Sequence, residues 1–251
     1  MKRKFWQWKE REMINNETNE KTTERVLIIN GTIAEESWFG DEVTPAEFKE
    51  ELNSGTGDIV IWLNSAGGDC LAASLIYTML LEYKGNVTVK IDGLAASAAS
   101  VIAMAGTKVC MSPTSMMMIH NPTTVAMGDK AEMGKAIEVL NAVKESIINA
   151  YELKTGLKRS KLSDMMDKET WFDAKKAIEL RFCDEMLTRS EQDDIEKDMK
   201  PQMFQKSVVE SNLKNLLIEK YLIKKTEPLE TDDSVKAKEL RDRLETIKKF
   251  I

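Results

Sequence analysis

From Arg25 onwards apolar residues arrive in short consecutive runs, VLII at 26–29 and IVIWL at 59–63. β-Branched and apolar side chains on successive positions suit strands covered on both faces, the habit of parallel sheets. A helix is predicted between them, because Thr44-Pro45-Ala46-Glu47 supplies a capping hydroxyl, a proline at the first helical position and a glutamate able to close a capping box. The alternation then repeats: a helix over 70–83, a strand over 87–91, a short buried helix over 97–105 and a strand over 116–119. Strands alternating with helices imply an α/β core with parallel pairing.

A long helix is predicted from Asp129 to Thr155, with Met133, Ile137, Leu140, Val143, Ile147 and Tyr151 three or four residues apart and Gly156 as its stop. A shorter helix follows near 161–166, then Trp171 and Phe172 as a buried aromatic anchor ahead of a helix capped by Asp173. The core is expected to close near Leu187, giving three parts. Residues 1–24 read as a flexible arm docked only through its aromatics, Trp6 and Trp8; 25–187 form the main domain; and 188–251 form a charged linker with amphipathic segments at 207–224 and 234–251. In the last segment Leu240, Leu244, Ile247 and Ile251 share one helical stripe.

The composition narrows the partners. With 251 residues, 42% hydrophobic and 31% charged, the chain can bury one sizeable core. A net charge of −6 and a pI near 5.2 repel phosphate, which argues against nucleic acid or an anionic membrane as the main partner. Cys70, Cys110 and Cys183 form no CxxC pair and leave an odd count, which fits a reducing cytoplasm. With one histidine in the chain, no catalytic metal is expected. The N-terminal basic residues have no apolar stretch behind them and do not read as a secretory signal. The apolar run from Leu94 to Gly106 falls short of the roughly 20 residues a membrane span needs, so it reads as buried core.

Three short segments carry chemistry. Gly93-Leu94-Ala95-Ala96-Ser97-Ala98-Ala99-Ser100 follows a strand and opens an apolar helix, a setting that holds a serine rigidly and lets a peptide backbone come close. The same small residues also suit tight helix packing. Asn64-Ser65-Ala66-Gly67-Gly68-Asp69 follows another strand, and its glycines can leave a backbone N–H exposed; Gly68 N–H and Ala98 N–H are the candidate oxyanion donors. His120, at the end of the strand and followed by Asn121-Pro122, is the only histidine, so in a serine–histidine pair no other residue can be the base. Asp167 and Glu169 are the candidate carboxylates to orient it.

Together NSAGGD at 64–69, GLAASAAS at 93–100, MIHNP at 118–122 and ETWFDAKKAIELRFCDE at 169–185 resemble the Clp protease family, in its order and at its approximate spacing over about residues 25–187. The resemblance implies a crotonase-like ββα spiral with a helical C-terminal extension here, ring-shaped homo-oligomers and serine–histidine–acid catalysis without a cofactor. Carried over by motif, the nucleophile falls on Ser97, the base on His120, the oxyanion donors on Gly68 and Ala98, and the acid on Glu169, where the family usually has aspartate. Ala66 stands in place of the usual proline and Asn121 in place of the usual glutamine. The segment INGTIAEESWFGDEVTPAEF at 29–48 and the ETWF signature are similar to the phage and prophage head maturation branch, whose substrates are scaffold or capsid proteins. Two alternatives stand beside it: a proteolytic subunit served by an AAA+ unfoldase, and a non-catalytic capsid scaffold component. No GxxxxGK[ST] occurs, so ATP would act through another subunit.

Overall fold

The structure, a computed structural model, describes residues 4–14, 21–33 and 45–188. A single mixed sheet organises them. Strands β1 (Trp6–Ile14), β2 (Lys21–Asn30), β3 (Ile59–Ser65), β4 (Val87–Ala96), β5 (Lys108–Met111) and β8 (Glu185–Met186) lie side by side in that order. A side branch is formed by β6 (Met116–Ile119), which pairs with β4, and β7 (Thr170–Asp173), which pairs with β6. Pairing is parallel from β2 through β8 and between β4 and β6, and antiparallel for β1–β2 and β6–β7.

Helices α1 (Pro45–Asn53), α2 (Cys70–Leu81) and α3 (Ala98–Ala103) connect the strands, followed by α4 (Lys130–Thr155), α5 (Arg159–Asp167) and α6 (Ala174–Glu179). The consecutive apolar runs serve two faces, as predicted. Leu27, Ile29, Ile59, Ile61 and Leu63 enter the main core, while Val26, Val60 and Trp62 form a separate small cluster on the opposite face, with Ile28 and Leu187 packed against it. The run from Leu94 to Gly106 is divided between the end of β4 and helix α3 and is buried, and among the described residues no helix is long and apolar enough to cross a membrane.

Strand β4 is the branching element. Its residues Thr88–Ile91 pair with β5, and its residues Leu94–Ala96 pair with β6. Between the two stretches its register with β3 slips, and Gly93 occupies the slip, where a Cβ would sit 2.6 Å from Asn64 Oδ1. The Leu94 N–H donates to that same oxygen at 3.1 Å, so Asn64 bridges the break that a plain ladder would leave unsatisfied.

The N-terminal arm differs from the sequence expectation. Residues 6–14 form strand β1, in continuous register with β2 from Trp6 opposite Ile29 to Ile14 opposite Lys21. Charged residues at 9–12 masked this strand, because an edge strand exposes one face and tolerates charge there. The aromatics do dock: Trp6 is buried edge-on against Phe48 and donates its indole N–H to Glu51 at 2.7 Å. Trp8 lies under the Arg25 guanidinium, which also donates to the Glu51 and Leu52 carbonyls at the end of α1.

Helix α4 begins at Asp129 with a capping box closed by Glu132 and ends at Gly156 in the left-handed conformation. Burial is confined to its C-terminal half, at Ile147, Ile148, Ala150, Tyr151 and Thr155. Ile137 and Val139, in the other half, are 60% and 61% exposed. The predicted apolar stripe is therefore covered by this chain over half its length. Thr44 and the tail beyond Thr188, including both amphipathic segments, lie outside the described residues.

Because Trp6 ties β1 to α1 through packing and a hydrogen bond, Trp6→Ala should destabilise the domain by about 3–5 kcal/mol in urea unfolding. A freely moving arm would leave the midpoint where it is.

Candidate active site

The register of β4 and β6 brings the predicted serine and histidine together. Ala96 pairs with Met118, and the next residue, Ser97, donates its N–H to the Met118 carbonyl at 2.9 Å. His120 follows β6 by one residue, and its Nε2 lies 2.7 Å from Ser97 Oγ. This distance is that of a nucleophile and its base in hydrogen-bond contact. Ser97 has φ 55° and ψ −125°, backbone that an L side chain rarely adopts, forced by the sharp turn from β4 into α3. A serine held this way projects from the turn rather than folding back on the helix.

Gly67 lies close against this turn, and Gly68 close against Ile33. A Cβ on Gly67, whose φ is +95°, would lie 2.7 Å from the Ala96 carbonyl oxygen, 2.8 Å from Ser97 Cβ and 3.0 Å from Ala98 N. On Gly68, with φ +149°, it would lie 2.0 Å from the Ile33 carbonyl oxygen. Only glycine fits at either place. The loop is held from behind, because Ser65 Oγ donates to Gly31 O and accepts from Gly67 N–H, while Ile33 N–H donates to Gly67 O and Ile33 O accepts from Asp69 N–H. Asp69 then caps α2 through Leu71 and Ala72 N–H. Sequence reasoning singled out Gly68; the contact of Gly67 with the Ser97 turn depends on how two separate loops approach and is not visible in the motif.

The two carboxylates are placed differently. Ile119 pairs with Thr170 across the antiparallel β6–β7 ladder, so extending that register by one residue sets Glu169 opposite His120. Glu169 has φ +48°, and its Oε1 accepts the Trp171 indole N–H at 3.1 Å. Asp167 closes α5 and accepts from Asn121 Nδ2 at 2.8 Å and from Lys144 on α4 at 2.6 Å. Those donors, Lys144 first, hold its carboxyl below the usual carboxylate range. Asp167 thus braces the residue after the histidine. Trp171, expected as a buried anchor, is 37% exposed, while Phe172 is buried, since alternate strand positions face opposite sides.

No thiol competes as nucleophile. Burial raises all three, Cys110 to about 12 and Cys183 to about 11, and Cys70 is raised further by Asp69. They remain protonated near neutral pH and unreactive.

Comparison with known proteins identifies the family. The profile of the family described as Clp protease matches residues 10–190. Three similar curated relatives carry the name ATP-dependent Clp protease proteolytic subunit 2. The protein of Thermobifida fusca is 30% identical over 135 residues, 53% of this chain and 66% of the relative, so the chain spans just under two thirds of that protein's length. That of Mycolicibacterium paratuberculosis is 27% identical over 54% of this chain and 69% of the relative. That of Treponema denticola is 29% identical over 62% and 78%. The fold is the Clp protease fold, a sheet with helices packed around it.

Gly67→Ala forces a methyl group into the Ser97–Ala98 turn and should slow acylation by a fluorophosphonate by roughly 10²-fold or more, the cost of losing an oxyanion donor. Gly134→Ala, where the added Cβ meets nothing within 4 Å, is the matched control and should keep the parent rate.

Proposed function

Because this chain belongs to the Clp protease family, a family of serine peptidases, we propose that it is an endopeptidase working through an acyl-enzyme at Ser97, of the phage and prophage head maturation type. Its substrate would be scaffold or capsid protein, cut in the cytoplasm or within the procapsid. The observation that carries the catalytic part is the 2.7 Å contact between His120 Nε2 and Ser97 Oγ beside a double-glycine turn.

In this reading His120 Nε2 accepts the Ser97 hydroxyl proton as Oγ attacks the peptide carbonyl. The oxyanion so formed accepts hydrogen bonds from Gly68 and Ala98 N–H. The intermediate collapses to an ester, and the imidazolium passes its proton to the departing amine. Water, deprotonated by the same imidazole, then frees the acid and restores Ser97. Glu169 orients the imidazole and stabilises its charged form, supported by its register position opposite His120. Asp167 is the weaker candidate for that role, since its carboxylate is engaged by Lys144 and Asn121.

Exposed Leu71 and Leu75 on α2, and Ile137 and Val139 on α4, support a ring of identical subunits that covers them. The head maturation assignment rests on the 29–48 segment and the ETWF signature. A second reading, a proteolytic subunit served by an AAA+ unfoldase, is favoured by the names of the curated relatives. The two separate on substrate and energy source: head maturation predicts cleavage of a cognate scaffold or capsid protein without ATP, whereas the second requires an unfoldase and ATP.

Ser97→Ala should fold and assemble normally and lose about 10⁶-fold in turnover, as when such a catalytic serine is removed. It should also abolish fluorophosphonate labelling; a folded, assembled parent protein that takes no label would instead be a scaffold component. For the acid, Glu169→Gln should lower acylation by roughly 10³–10⁴-fold while the protein stays folded, and Asp167→Asn by far less. The reverse order would move the acid to Asp167.

A further inference from the structure

Beneath the nucleophile turn lies a hydrogen-bond relay that the catalytic scheme leaves unused. The Ser97 carbonyl accepts two bonds from Ser100, one from its N–H at 2.9 Å and one from its hydroxyl at 2.6 Å. The Ser100 hydroxyl also lies 2.8 Å from the Tyr151 hydroxyl on α4. A serine hydroxyl has one hydrogen, and that hydrogen is committed to the carbonyl, so Tyr151 must be the donor to Ser100. Both side chains are buried. Burial also pushes the Tyr151 phenol above its ordinary value, which keeps it a donor across the working pH range. Its ring is wedged edge-on against Phe182, which packs in turn on Phe172 of β7.

The consequence lies on the other side of the same peptide unit. The Ser97–Ala98 bond is planar and trans, so its carbonyl and the Ala98 N–H point in opposite directions. With the carbonyl pinned into the core by Ser100, the N–H is turned toward the glycine loop, where a Gly67 Cβ would come within 3.0 Å of Ala98 N. A carbonyl accepting two hydrogen bonds also polarises its amide and strengthens the N–H as a donor.

We propose that Ser100 and Tyr151 are positioning residues which, through the Ser97 carbonyl, aim the Ala98 N–H into the oxyanion hole. This rests on the reading of Ser97 as nucleophile and adds to it a specific route by which α4 supports the reaction. The relay acts on the tetrahedral state and not on substrate binding, which distinguishes it from a packing contact.

The test uses Tyr151→Phe, Ser100→Ala and the double variant in the full chain, with rates per active site titrated by fluorophosphonate. Each single variant should lower the acylation rate by roughly tenfold or more, less than the 10²–10³ for deleting a donor outright, with KM unchanged. Affinity for a peptide boronate, whose tetrahedral adduct occupies the oxyanion hole, should fall by the same factor. Because the two residues form one relay, the double variant should be little worse than the weaker single. A parent-like rate per titrated site with parent-like boronate affinity, even if the unfolding midpoint drops, would overturn the proposal. If Ser100→Ala does not fold, Tyr151→Phe, which keeps the ring, decides alone. Ser97→Ala separates the two levels: turnover persisting there would remove the nucleophile assignment, whereas an inert Ser97→Ala beside unaffected relay variants removes only the relay.

Discussion

One strand must serve two neighbours, and the site depends on it. The first half of β4 belongs to the β5 side of the sheet and its second half to β6, so the strand bends where its register with β3 slips. The bend is stabilised by Asn64, whose side-chain oxygen takes the N–H that the slip frees, and it needs Gly93 because a Cβ would strike that oxygen. Only after the strand has changed partner does it run beside β6, and that pairing sets Ser97 against the residues leading to His120. The contact between Ser97 and His120 is therefore a by-product of strand register.

Two of the three non-glycine residues with positive φ among the described residues, Ser97 and Glu169, lie in this region; the third, Arg181, follows α6. Ser97 and Glu169 have positive φ, as do Gly67 and Gly68, and each lies at the end of a strand or in a turn that packed neighbours hold in place. Backbone of this kind costs of order 1–3 kcal/mol at a non-glycine residue and survives only where surrounding contacts over-determine it. Here those contacts are the Met118 carbonyl, the Ser100 bonds and the loop from Gly31 to Ile33. These bonds fix the backbone without any substrate contact, which suits donors that must already point at a charge that develops later.

Helix α4 divides between the two needs of the protein. Its C-terminal half is buried and reaches the site twice, through Tyr151 to Ser100 and through Lys144 to Asp167 and so to Asn121. Its other half carries exposed Ile137 and Val139. One helix thus braces the candidate site at its C-terminal end and carries exposed apolar residues at its other end.

Much of this was legible in the chain. Consecutive apolar runs marked the buried strands, Asp129 and Gly156 bounded α4, and the serine, histidine and glycine motifs stood in an order that pointed to one family, because each of these signals is local and repeats known turn and capping chemistry. The β1 strand was not legible, since its charged face is tolerated at a sheet edge and reads as loop. Nor was the exposure of Trp171, which strand alternation decides. What the sequence by itself determined was the set of candidate reacting groups and most of the elements that carry them. Only the tertiary structure decided that Gly67 must approach Ser97 without a side chain, that Asp167 is taken up by Lys144 and Asn121 while Glu169 directly precedes the strand paired with the one leading to His120, and that Tyr151 reaches the turn that carries Ser97. Those facts follow from distances between segments tens of residues apart, set by strand register and helix packing, which no local pattern of residues encodes.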